Sequence, residues 1–282
     1  FTFINGYHDV RAGAIDIVNG NVDILNSSFT NNLGGSYAGA IYIATAGEVN
    51  ILNNSFSGNS ATYGGGHIYA GSASSGTLIE GNVFSGGSAN YGAVIHSDRC
   101  NLTVNRNFIK DTGSGSVIDI YSYGPTVVIS NNIIVRSTNQ AMSFSGETVS
   151  PHQVLNNTLV GGTYGITPNA SNLNVVNNIF YFFSVNSIGG YSGTVEGSNN
   201  LYYLNANDSH PLDNPVYADP GFVDAASDDY HINSDSPALD AGAAVVLSDD
   251  FDGDVRPLGS GYDIGADEVR VGMEVFIPIL LN

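Results

Sequence analysis

Short runs of β-forming residues recur along the chain, each followed by Asn-rich positions and then an aromatic or aliphatic side chain. The runs read VDILNSSF at 22–29, VNILNNSF at 49–56, TLIEGNVF at 77–84, LTVNRNFI at 102–109, VVISNNII at 127–134 and HQVLNNTL at 152–159. LNVVNNIF at 173–180 and TVEGSNNLY at 194–202 complete the series. Aligned on the asparagine, the column is Ser27, Asn54, Asn82, Asn107, Asn132, Asn157, Asn178 and Asn200, with spacings of 27, 28, 25, 25, 25, 21 and 22. Asn5 in FINGY fits the same series, 22 residues before Ser27. A second motif falls between these positions: AGAIDI at 12–17, AGAIYI at 38–43, GGHIYA at 65–70, YGAVIH at 91–96 and GSVIDI at 115–120. Each cycle therefore holds at least two short strands with turns between them. Apolar and polar residues alternate within many strands, as at Val22 and Ile24 or Ile41 and Ile43. One face of each strand then points inward and the other meets solvent.

A period of about 20–30 residues, with short strands and no helical stretch, describes a β-solenoid. The Leu spacing of leucine-rich repeats is missing, and propeller blades need about 40 residues or more. The expected fold is all-β: a right-handed, single-stranded parallel β-helix of about nine coils over residues 1–205. At about 4.8 Å per coil this is a rod roughly 40 Å long. Asparagine tolerates the left-handed backbone of a sharp corner, and stacked amides can hydrogen-bond along the solenoid axis. Asn54, Asn82, Asn107, Asn132, Asn157, Asn178 and Asn200 are thus expected to form a structural ladder. The side chains just after them, Phe29, Phe56, Phe84, Phe108 and Phe180, are expected to stack inside. Solenoids need their last coil covered. Residues 206–268 are read as that capping module, and 269–282 as an apolar β-prone tail.

Composition narrows the setting. Lys+Arg is 7 and Asp+Glu 26, so the formal charge is 7 − 26 = −19. Such a chain repels phosphate backbones, which argues against nucleic-acid partners. It also repels anionic lipid and polyuronate chains unless cations bridge them. Only 12% of residues are charged, so Asn, Ser, Thr and Gly must cover the surface, as in an extracellular or cell-surface protein. The one cysteine, Cys100, allows no intrachain disulfide and reads as a small buried hydrophobe. No run reaches the ~18 apolar residues of a membrane span. The chain opens on strand-like Phe1-Thr2-Phe3-Ile4 without an initiator Met, as a mature or fragmentary product would.

Two C-terminal stretches are more specific: DPGFVDAASDDYHINSDSPALDAG (219–242) and DDFDGDVRPLGSGYDIGADE (249–268). They resemble the C-terminal region of bacterial secreted β-helix proteins of the pectate-lyase-like superfamily, which often carry a choice-of-anchor surface-attachment segment. The likeness rests on Asp219, Pro220, Phe222, Val223, Asp224, Tyr230, His231, Ser236, Pro237, Asp240, Ala241 and Gly242 in the first stretch. In the second it rests on Asp252, Gly253, Arg256, Pro257, Asp263, Ile264, Gly265, Ala266 and Glu268. The resemblance implies secretion and a scaffold, not one chemistry.

Several chemistries can be placed on the residues. A uronate lyase needs a base near the sugar C5 and a cation on the carboxylate. The catalytic candidates are Lys110, Arg136, Arg106 and Asp119, with Arg99, Asp98 and Asp111 nearby. Lys110 and Arg136 are expected to share a solvent-facing corner one coil apart. Carboxylate-pair hydrolysis lacks the signatures of polygalacturonases; GGHIY around His67 is a partial echo. The six histidines are dispersed without HxxxH spacing, so no zinc site is expected. In DDFDGD, Asp249, Asp250, Asp252 and Asp254 surround a Gly turn and are candidates for structural Ca²⁺, although no Glu follows at the twelfth loop position. Asp263, Asp267 and Glu268 form a second acidic cluster. Tyr42, Tyr69 and Tyr121 are candidates for an exposed sugar-binding stripe. Self-association is expected through an open N-terminal coil and through strand addition by the tail. The functional expectation is an extracellular structural or adhesive β-helix, self-assembling into a filament or surface layer. The alternative is a polysaccharide-active enzyme working on a groove of the helix.

Overall fold

In a computed structural model the repeats wind into a parallel β-solenoid of about eight turns. The structure describes residues 1–44, 47–71, 76–148, 150–189, 192–208 and 212–270. Each full coil carries three strand positions. The first is occupied by Ile41–Ile43, Ile68–Ala70, Ile95–Asp98, Ile118–Tyr121 and Gln140–Ser145. The second holds Glu48–Leu52, Gly76–Glu80, Leu102–Asn105, Val127–Ser130 and His152–Leu155. The third holds Ser55–Ser57, Val83–Ser85, Phe108–Lys110 and Ile133–Val135. The pairings between coils are parallel, for example Val83↔Phe108, Phe84↔Ile109 and Ser85↔Lys110, and the register shifts only at Gly162/Tyr164 and Asn169/Ser171 among the described residues.

The asparagine column lies at the corner between the second and third strands, stacked as the repeat predicts. The Asn54 backbone N–H and its Nδ2 both donate to Asn82 Oδ1, at 2.8 and 3.0 Å. The same pair of bonds joins Asn82 to Asn107, Asn107 to Asn132, Asn132 to Asn157, Asn157 to Asn178 and Asn178 to Asn200. The left-handed residue is not the ladder asparagine but the one before it: Asn53, Gly81, Arg106, Asn131, Asn156, Asn177 and Asn199 have φ of 52° to 66°. That residue turns the chain, and the ladder amide is thereby aimed inward. A second left-handed corner follows the third strand, at Asn31, Gly58, Gly86, Asp111, Arg136 and Gly161. Asn5 belongs to this second corner, because Ile4 pairs with Thr30. It therefore does not extend the ladder, which accounts for about eight turns in place of nine.

Phe3, Phe29, Phe56 and Phe84 stack along the axis with centroids 4.7–4.8 Å apart, the coil spacing itself. The stack continues as Ile109, Ile134, Leu159 and Phe180. Phe108 departs from the expectation. It pairs with Val83 and Ile133 on the outer face, and Ile109 takes the inner place. The outer face changes character at this coil. In one register column Ser28, Ser55 and Val83 give way to Phe108, Ile133, Thr158, Ile179 and Leu201.

That apolar outer face is covered by the C-terminal segment. Phe108, Ile133, Val135, Val160 and Tyr181 pack with Phe222, Tyr230, Phe251 and Ala266, and Ile179 and Leu201 pack with Ile232, Ala238 and Ile264. Burying aliphatic side chains of this size is worth about 1.5–3 kcal/mol each. Polar ties run the length of the contact, from Asn131 Nδ2 on Asp249 O to Asn156 Nδ2 on Asp263 O and Asn177 Nδ2 on Ala243 O. Residues 219–268 therefore brace the flank of the solenoid across successive coils. The last coil is closed separately by Val216–Tyr217, which pairs with Leu201–Tyr203. No helix among the described residues is long and apolar enough to cross a membrane. The tail falls outside the described residues from position 271 onward.

Candidate functional site

Outward positions of the first strands form one register column: Asp16, Tyr42, Tyr69, His96, Asp119, Ser143 and Thr167. Parallel pairing puts these side chains one coil apart. The column shortens from Tyr69 to Ser143, so an otherwise flat face leaves a recess. A second column on the same strands, Asp98, Tyr121, Ser145 and Asn169, makes one wall. The other wall is a stack of turns carrying Tyr63 and Tyr91, whose rings lie 5.1 Å apart. The enclosed cavity is about 450 Å³, with Asn90, Asn139 and Gln140 completing its rim. This lies within the usual range of small-molecule sites, roughly 300–1,000 Å³.

His96 and Asp119 form the floor, 4% and 7% exposed. His96 Nδ1 is 2.8 Å from Asp119 Oδ2, and Ser116 Oγ donates to Asp119 Oδ1 at 3.3 Å. In this contact the carboxylate accepts and the imidazole Nδ1–H donates. The imidazole stacks on Tyr69 with centroids 5.0 Å apart, and Tyr69 stacks on Tyr42 at 5.1 Å. Tyr69 OH donates to Asp98 Oδ2 at 3.3 Å, and Arg99 Nε donates to Asp98 Oδ1 at 2.9 Å. Burial, then Asp98, pushes the Tyr69 hydroxyl far up, so it stays protonated and remains a donor. Among the described residues no Lys or Arg lines the cavity.

Of the catalytic candidates, only Asp119 lies here. Lys110 and Arg136 do share a corner, but both are spent on the C-terminal brace. Lys110 Nζ binds Asp228 Oδ2 at 2.9 Å, and Arg136 binds Asp228 together with Asp111, the latter at 2.6 Å. Arg106 joins Glu80 at 2.7 Å to Asp249 at 3.4 Å. Arg106 and Arg136 stand on left-handed corners, which project them outward to meet the brace. The tyrosine stripe is also redistributed: Tyr42 and Tyr69 share a column, but Tyr121 pairs with Asp98 two positions along. His96, Tyr63 and Tyr91 were not singled out from the sequence. The signal for His96 was present in the glycine-anchored alignment of GGHIY (65–69), GAVIH (92–96) and GSVID (115–119).

The acidic loop does not fit a calcium cage. Asp250 is fully buried, and its Oδ1 accepts the backbone N–H groups of Asp252, Gly253 and Asp254 at 2.8–3.0 Å. Its Oδ2 accepts from Glu268 N at 2.9 Å, so one oxygen is used within the turn and the other ties the turn to the chain 18 residues on. Asp249 faces Arg106, Asp252 faces His231, and Asp254 is exposed. In the second cluster Glu268 pairs with the fully buried Arg256 at 2.7 Å. Asp263 accepts from Asp240 N and Val269 N, both at 2.7 Å. These bonds give Arg256, Asp263 and Glu268 a structural reason. No protein-family model matches the chain, and a search of curated proteins gives no match.

Proposed function

We propose that the chain is an extracellular adhesive β-solenoid that holds a neutral glycan in the groove above His96 and Asp119. The observation that carries this reading is the lining of the 450 Å³ cavity, in which tyrosine rings alternate with Asn, Gln, Ser and Asp side chains and, among the described residues, no Lys or Arg contributes. Aromatic faces stack on the C–H faces of sugar rings, while amides and carboxylates take the hydroxyls. A uronate would meet Asp98 and Asp119 with no Lys or Arg in the lining, within a chain of net charge −19. The surface rich in Asn, Ser, Thr and Gly and the choice-of-anchor likeness of residues 219–268 support the extracellular setting. The test is calorimetric titration with neutral oligosaccharides, such as cello-, xylo- and manno-oligomers, beside oligogalacturonate. A neutral oligomer should bind, and Tyr91→Ala should weaken it at least tenfold. Tighter binding of oligogalacturonate, or no loss in Tyr91→Ala, would refute the assignment.

A second reading, cleavage of the bound glycan, is favoured by the His96–Asp119 pair. In this reading His96 Nε2 acts as the general base and Asp119 orients the ring. Reducing-end release that disappears in His96→Asn while binding persists would distinguish turnover from adhesion.

A further inference from the structure

A different set of groups meets on the brace. His231 lies in Asp229–Ile232, a strand antiparallel to Phe222–Asp224. Its Nδ1 is 2.5 Å from Asp229 Oδ1, and its Nε2 is 2.7 Å from Asp252 Oδ2. Asp267 completes a cluster with His231 and Asp252 in which the three ligand atoms lie within 4.8 Å of one another. Asp267 is 7% exposed, its Oδ2 accepts from Ile232 N at 2.8 Å, and it joins none of the ion pairs among the described residues. Arg256, on the same segment, is committed to Glu268.

Three carboxylates thus gather around one imidazole. Asp229 is outside the three-atom cluster, and it holds Nδ1–H. With Asp229 holding Nδ1–H, a metal ion at Nε2 would take the place of the proton that Nε2 shares with Asp252, as in carboxylate–histidine–metal arrangements.

We propose that His231 Nε2, Asp252 and Asp267 bind a divalent transition-metal ion, best matched by Zn²⁺, with Asp229 as a positioning residue. One imidazole nitrogen and two carboxylate oxygens suit zinc, whereas calcium collects six to eight oxygens. Zn–ligand bonds of ~2.0–2.2 Å separate tetrahedral ligand atoms by on the order of 3.3 Å. The 2.7 Å contact between His231 and Asp252 must widen, which the exposed Asp252 side chain allows. The fourth position falls to water on that open side. The inference does not depend on the groove.

The competing state is an imidazolium bridging Asp229 and Asp252. Chelator-treated full chain, titrated with Zn²⁺ at neutral pH and with Ca²⁺ in parallel, separates the two. One equivalent of Zn²⁺ should bind in preference to Ca²⁺ and raise the thermal midpoint. Co²⁺ should give the visible absorption of a tetrahedral site. Asp252→Asn, at an exposed position, should weaken Zn²⁺ at least 100-fold, and Asp229→Asn 10- to 100-fold. A circular dichroism spectrum matching the parent shows that each variant has folded. Absence of a stoichiometric Zn²⁺ site, equal uptake by Asp252→Asn, or preference for Ca²⁺ would overturn the proposal.

Discussion

Asn107 Oδ1 receives two hydrogen bonds from the coil before it, from the Asn82 backbone N–H at 2.9 Å and from Asn82 Nδ2 at 3.0 Å. Its own Nδ2 donates to Ile79 O and Asn105 O, both at 2.9 Å, so one buried amide ties two strands to the corners of successive coils. Asn107→Ala leaves several buried polar groups without partners, each costing about 1–3 kcal/mol. We expect a loss of about 3 kcal/mol or more by denaturant unfolding. Asn107→Ser should recover part of it, because Ser27 serves in the same column.

The two phenylalanine environments should separate by mutation. Phe56 stacks between Phe29 and Phe84, whereas Phe108 lies outside beneath the brace. Phe56→Ala should cost about 3–5 kcal/mol. Phe108→Ala should cost less globally but speed proteolysis within residues 219–268. Equal global losses with no change in cleavage would contradict the lateral packing.

The anchor at Asp228 has a definite pH sign. Hydrogen bonds from Arg136 and then Lys110 lower its carboxyl from 3.8 to about 2. Its contribution is complete above about pH 4 and is lost as pH falls toward 2. Solvent screening at this exposed corner limits it to about 1 kcal/mol. Asp228→Asn should lower the stability of the brace at pH 7 and converge with the parent near pH 2, as read by limited hydrogen exchange.

Two core histidines act over a higher window. Burial lowers His67 from 6.5 to about 3 and His152 from 6.5 to about 4. Both stay neutral in the fold while the unfolded chain takes up protons. Stability should therefore decline as pH drops below 6.5, until about 4 for His152 and about 3 for His67. For His152 alone this is on the order of 3 kcal/mol. His152→Gln, which can still accept from Val127 N, should flatten the pH 6.5–4 part of the curve.

Ser143 tests the groove without touching its floor pair. It follows Asp119 in the register column and lines the cavity. Ser143→Phe fills the recess, and we expect ligand affinity to fall at least tenfold with an unchanged melting temperature. Undiminished binding would move the ligand elsewhere.

Repeats of this kind are legible because each coil must bury the same inward positions and satisfy the same corner. A one-dimensional spacing of 21–28 residues therefore reports the stacking of Asn54 through Asn200, the inward phenylalanines and the parallel pairing. The sequence alone determined these features, since they depend on contacts that every coil repeats. It did not determine what lies on the outer faces. Whether Lys110 and Arg136 face open solvent or Asp228 depends on a segment 92–118 residues away. The inward turn of Ile109 in place of Phe108, the shift of Tyr121 out of the Tyr42 and Tyr69 column, and the meeting of His96 with Asp119 each hinge on register to within one or two residues. Only the folded coils fix that register, because a slip of one position exchanges the buried face of a strand for its exposed one.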